Sequence, residues 1–105
     1  MFRIKLRFVS PEPTRFIELC KLVSEGLRTF GCSCVELSAA SIVASCRGAL
    51  VYSGMESGRD EMGRVMPQIY MCIEAETPDA IVELAQLATT IAREAGVKIE
   101  IIPCS

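Results

Sequence analysis

Displaced by 65 positions, the chain registers on itself without a gap. Ile4 falls on Ile69, Pro13 on Pro78, Glu18-Leu19 on Glu83-Leu84, Leu22 on Leu87, Arg28 on Arg93 and Gly31 on Gly96. Each pair falls at the same point of an expected element: strand centre, helix start, helix face, helix end. A period of this kind predicts two like supersecondary units. The 105 residues hold two such units in one domain.

The elements follow from local pattern. Phe2, Ile4, Leu6 and Phe8 alternate with Arg3, Lys5 and Arg7, which predicts a strand with one buried face. Ser10-Pro11-Glu12-Pro13-Thr14 opens a helix, with Ser10 or Thr14 as its cap. Phe16, Leu19, Cys20, Val23, Leu27 and Phe30 follow at helical spacing, and Gly31 ends the run. Residues 33–40 read as a second strand with Val35 and Leu37 inward. It continues, or bends and resumes, through Ile42-Val43 and residues 49–52, with a bulge or turn at Gly48. Residues 53–64 carry Gly54, Gly58, Gly63 and mixed charge without periodicity, and read as a loop. A third strand runs from Val65 to Glu76 with Ile69, Met71 and Ile73 inward. Thr77-Pro78-Asp79 combines a cap, a first-turn proline and an acid. The helix it starts buries Ile81, Leu84, Ala85, Ala88, Ile91 and Ala95 and stops at Gly96. Val97, Ile99 and Ile101 form the last strand.

Two interleaved β-α-β units give an α+β, ferredoxin-like β-α-β-β-α-β sandwich. Two helices cover one face of a four-stranded antiparallel sheet of order 4-1-3-2. The uncovered face carries Arg3, Lys5, Arg7, Gln68, Tyr70, Glu74, Lys98 and Glu100, joined by Glu36. Hydrophobic residues make up 50% of the chain, more than a lone small domain needs. That face is therefore expected to meet another subunit in a homodimer or homotrimer, through Arg3, Lys5, Arg7, Tyr70, Glu74 and Glu100.

The net charge of −2 gives no basic field for nucleic acid. An RNA-binding sheet also needs two or three stacking aromatics, and Tyr70 is the one expected on the face. No run of about 18 apolar residues predicts a membrane span. The alternating charges of residues 2–8 are unlike the apolar stretch of a signal peptide. The chain is thus expected in the cytoplasm, with all six cysteines (20, 32, 34, 46, 72 and 104) as thiols. The absence of histidine removes the commonest general base and the usual Ser-His and Cys-His pairs. No catalytic residue, metal site or cofactor is assigned. Cys32-Ser33-Cys34 is the one close thiol pair. Cys104 lies on the opposite sheet edge in the expected order, about 14 Å away, too far to complete a metal site. In the expected loop, Arg59 and Arg64 suit an anion, opposed by Glu56, Asp60 and Glu61. The loop lacks the Gly-Lys-Ser/Thr of a phosphate loop.

Three segments resemble those of PII-like signalling proteins. They are Arg47-Gly48-Ala49 before the expected loop, residues 66–74 (MPQIYMCIE) after it, and the end Gly96-Val97-Lys98-Ile99-Glu100-Ile101-Ile102-Pro103. The resemblance implies a trimer that binds a nucleotide or other small effector in clefts between subunits, with the long loop touching partner proteins. The connection 93–98 is shorter than that family's Gly- and Lys-rich phosphate loop. With Arg59 and Arg64, residues Arg47, Arg93 and Lys98 make up the candidate ligand-binding set. The resulting expectation is a small oligomeric ligand-sensing or partner-binding module. A small enzyme of the dimeric-barrel type is the alternative, and an RNA-binding sheet the third.

Overall fold

The computed structural model describes residues 1–9, 16–38, 41–59 and 62–102. The elements are β1 (Phe2–Val9), α1 (Phe16–Phe30), β2 (Ser33–Glu36), β3 (Ile42–Cys46), β4 (Ala49–Arg59), β5 (Val65–Ala75), α2 (Pro78–Ala95) and β6 (Lys98–Ile102). The expected caps Ser10 and Thr14 lie outside the described residues, as do Asp60, Glu61, Pro103 and Cys104.

All six strands form one antiparallel sheet in the order β2-β3-β4-β5-β1-β6. This overturns the four-stranded ferredoxin-like sheet. The expected neighbours β6, β1 and β5 are side by side. The slot beside β5, expected for β2, is filled by β4, and β3 separates β4 from β2. The physical cause is a hairpin that the sequence hides. Arg47-Gly48 is a two-residue turn between the paired Cys46 and Ala49, and Gly48 supplies its positive φ of 66°. The segment expected to be one bending strand is therefore two antiparallel ones. Most of the expected 53–64 loop is also strand. β4 pairs with β5 from Ala49↔Ala75 to Arg59↔Val65, leaving only the tip as a connection.

The repeat survives this insertion in the helix ends. Gly31 and Gly96 both have positive φ. The amide of Gly31 donates to Arg28 O and that of Cys32 to Leu27 O. Sixty-five residues on, Gly96 N donates to Arg93 O and Val97 N to Ala92 O. Such left-handed stops satisfy carbonyls that the last helical turn leaves open. The strands that follow start at Ser33 and Lys98, again in register. At its other end α2 starts as its sequence dictates, with Thr77 Oγ1 accepting from Ala80 N and Pro78 in the first turn.

Both helices pack on the same face. Leu6, Phe8, Val51, Ile69, Met71 and Ile73 from the sheet meet Leu19, Val23, Leu27, Leu84, Ala88 and Ile91 from the helices. The helices cross closely at Gly26, where a Cβ would come within 2.9 Å of Ile91 Cδ1. At the β2 edge the inward residues are not those expected. Val35 and Leu37 are exposed. Cys34 and Glu36 pair with the buried Ala44 and Ile42, and so share the helix side of the sheet. Glu36 accepts from Ser24 Oγ and Arg28 Nη2 of α1, which corrects its expected place on the uncovered face.

The cysteine expectation is also corrected. Cys32 and Cys46 form a disulfide. Ser33 pairs with Ser45, so the next residues outward, Cys32 and Cys46, stand directly opposite. Their Cα atoms are 4.3 Å apart, as suits directly opposed residues of an antiparallel ladder.

Candidate functional site

The uncovered face of the sheet is where polar and aromatic side chains converge, and strand alternation puts them there. β1 contributes Arg3, Lys5 and Arg7. β5 contributes Gln68, Tyr70, Cys72 and Glu74. β4 contributes Leu50, Tyr52, Gly54, Glu56 and Gly58. Lys5 lies opposite Cys72 and Arg7 opposite Tyr70. Tyr52 lies opposite Cys72, Gly54 opposite Tyr70, and Glu56 opposite Gln68.

Glu56 is the electrostatic centre. Lys5 Nζ donates to its Oε2 at 3.0 Å and Arg7 Nε to its Oε1 at 3.1 Å, both reaching from β1 across β5. Burial pushes the Glu56 carboxyl up, but hydrogen bonds and positive charge from Lys5 and Arg7 outweigh it and hold the group below the ordinary carboxylate range. Direct cross-strand pairs flank this bridge. Arg3 Nε is 2.6 Å from Glu74 Oε1, and Arg7 Nη1 is 3.6 Å from Glu100 Oε2. Three cations thus meet three carboxylates, a ladder of opposite charges across neighbouring strands.

Aromatic contacts fill the middle. Tyr52 and Tyr70 have ring centroids 5.9 Å apart, and Lys5 Nζ lies 4.6 Å from the centre of the Tyr70 ring. The Tyr70 hydroxyl is pushed up to about 12, first by burial, then by its hydrogen bond with Tyr52 and by nearby negative charge that includes Glu56. Gly54 and Gly58 make room for this layer. A Cβ at Gly54 would come within 2.9 Å of the Tyr70 hydroxyl, and one at Gly58 would strike the Gln68 amide. Gln68 is only 5% exposed, and its Oε1 finds no hydrogen-bond partner among the described residues.

Toward the β2 edge the same face turns apolar. Val35 pairs with Val43 and Val43 with Tyr52, while Leu50 follows one row along. These four are 60%, 37%, 39% and 55% exposed, in the order Val35, Val43, Tyr52, Leu50.

The expected interface residues Arg3, Lys5, Arg7, Tyr70, Glu74 and Glu100 are brought together on this face. Tyr52 and Glu56 join them, although the pattern placed neither there. The five candidate ligand-binding residues do not converge. Arg47 sits in the turn before β4, and Arg59 ends that strand, about 33 Å away at the rise of an extended chain. Arg59 Nη1 donates to Gly63 O across the hairpin tip at 2.8 Å. Arg64 is exposed just before β5. Arg93 lies in the last turn of α2, and Lys98 opens β6 opposite Val9.

Among the described residues, no group of three or more acidic, cysteine or histidine side chains could hold a metal ion. The Cys32 sulfur is committed to Cys46. No helix among those residues is long and apolar enough to cross a membrane. The chain matches no protein-family model and no curated protein, so the PII-like resemblance rests on its three short segments.

Proposed function

We propose that this chain is a non-enzymatic binding module that works as a symmetric homodimer, two copies meeting through their uncovered sheet faces. The observation that supports it is the strip Val35, Val43, Leu50 and Tyr52, exposed on the one sheet face without helices. Contiguous exposed apolar residues on a sheet mark an interaction surface or an aggregation liability. A two-fold contact sets a patch against its own copy, so the patch must complement itself. The charged half meets that condition. Arg3, Lys5 and Arg7 balance Glu56, Glu74 and Glu100 within each copy, which lessens the cost of drying those charges.

A second reading, binding of single-stranded nucleic acid, draws on the Tyr52–Tyr70 pair, since bases stack on sheet aromatics. It is weaker here. Lys5 already lies over the Tyr70 ring, and three carboxylates share the face.

Sedimentation of the wild type and of Val43→Glu/Leu50→Glu tests the proposal. A wild-type dimer and a monomeric, folded variant support it. A wild type that stays monomeric at high concentration rejects it. Retention of a fluorescent oligouridylate by the wild type, lost in Tyr52→Ala, would favour the second reading.

A further inference from the structure

The one covalent tie described within the sheet joins its least secured strand to a well-packed neighbour. β2 has four residues and forms a sheet edge. None of the four is buried; Cys34 packs against the core from its rim, and Glu36 is held by Ser24 and Arg28 of α1. β3, beside it, buries Ile42, Ala44 and Cys46. Cys32, one residue before β2, and Cys46, the last of β3, close the ladder at one end. A third cysteine, Cys34, sits two residues along on the same side, its thiol donating to Cys32 O at 3.9 Å.

We infer that Cys32–Cys46 is a reversible dithiol–disulfide site whose redox state decides whether β2 stays on the sheet. The co-reactant is a dithiol reductant. Its thiolate attacks one sulfur of the pair, and the S–S bond breaks. The departing sulfur takes the bonding electrons and then a proton. The reductant's second thiol, deprotonated, resolves the mixed disulfide and releases the other cysteine, which is protonated in turn. Two electrons and two protons pass to the protein, and the reductant becomes a disulfide. Both cysteines are buried, at 8% and 9% exposure, so attack follows fraying of the edge, where local opening costs least.

Reduction leaves β2 held by four backbone pairs, the packing of Cys34 and the Glu36 contacts. Its release uncovers the outer edge of Ile42–Cys46 and leaves that row of backbone donors and acceptors open to water. The cysteines act here as a clasp on a sheet edge. Release of β2 would also withdraw Val35 from the apolar strip of the proposed dimer, but hydrogen exchange reads the clasp itself and does not need the dimer.

Hydrogen exchange of the whole chain, with and without dithiothreitol, tests it. The expected result is exchange roughly tenfold or more faster at 33–36 and along 42–46 after reduction, with the centre of β5 and of α2 unchanged. Differential alkylation should place the reducible pair at 32 and 46. Cys32→Ser should show the faster exchange without reductant and no further response to it. If that variant does not fold, the wild-type comparison decides alone. Cys34→Ser should keep the full response, and losing it would assign the bond to a different pair and overturn the site. Unchanged protection across 33–46 after complete reduction would overturn the switch.

Discussion

At Glu56 two cations converge on one carboxylate, from a strand two places away in the sheet. In the sequence this residue stands among Gly54, Gly58 and Arg59 and reads as part of a loop. Glycine usually weakens a strand, unless a neighbouring side chain lies across it. Here Tyr70 and Gln68 do, and the alternation Tyr52, Gly54, Glu56, Gly58 is the strand signal that was present but masked. That Arg3, Arg7, Glu74 and Glu100 share the uncovered face was legible from alternation, whereas which residue pairs with which comes from the register. The Glu56 bridge was not legible, because it needs the order of β4, β5 and β1. A carboxyl held low in the fold stabilises it fully above the unfolded-chain value. That contribution fades as pH falls through the folded value. Glu56→Gln should therefore cost about 1 kcal/mol at neutral pH, discounted for partial solvent access. The gap from wild type should narrow as pH falls through the folded value, read as urea midpoints at neutral and at acid pH. A constant gap would show that the loss is packing. Gln68 makes the opposite case. Its buried Oε1 lacks a partner among the described residues, so the similar-sized Gln68→Met should be neutral or stabilising by about 1 kcal/mol. A clear loss in urea melts would mean that the amide nitrogen carries bonds worth more than the orphaned oxygen costs.

Helix α2 shows how much one element can declare alone. Thr77, Pro78, Asp79 and Gly96 mark its ends, and its buried residues Leu84, Ala88, Ile91, Ala92 and Ala95 repeat at helical spacing. Leu84 is buried against the sheet, and Leu84→Ala should lose about 2–5 kcal/mol in urea unfolding. A loss under about half a kilocalorie would place this face away from the core. The β3–β4 hairpin declared much less. Its two strands are short or glycine-bearing, and its turn is only Arg47-Gly48. Alternation continues on both sides of that turn, so periodicity alone does not separate two strands from one. The error then spread. With residues 33–52 read as one strand that continues or bends, β2 and β3 were merged as well, so no register set Cys32 against Cys46 and the pairing stayed out of sight. Cysteine spacing does not fix connectivity, because strand register decides which sulfurs meet.

Across the whole molecule, the repeat registers the two helix ends and the strands that follow them, but the β3–β4 hairpin replaced the expected four-stranded sheet with six strands in the order β2-β3-β4-β5-β1-β6. Six strands under two helices leave one broad face uncovered, charged over β1 and β5 and apolar toward β2. The two halves of that face predict opposite responses to salt. Between about 0.1 and about 1 M salt the screening length falls from about 10 to about 3 Å, and exposed ion pairs weaken. Apolar contact does not weaken under those conditions, and strongly hydrated salts such as sulfate strengthen it. If the strip Val35, Val43, Leu50 and Tyr52 drives association, the dimer dissociation constant should hold steady in sodium chloride and fall in sodium sulfate. If Arg3, Lys5, Arg7 and their carboxylates pair instead across the two copies, the constant should rise in both salts. Sedimentation equilibrium in the two salt series separates these cases. A dimer that dissociates as sodium chloride rises would place the contact on the charged half and remove the apolar strip as its driving surface.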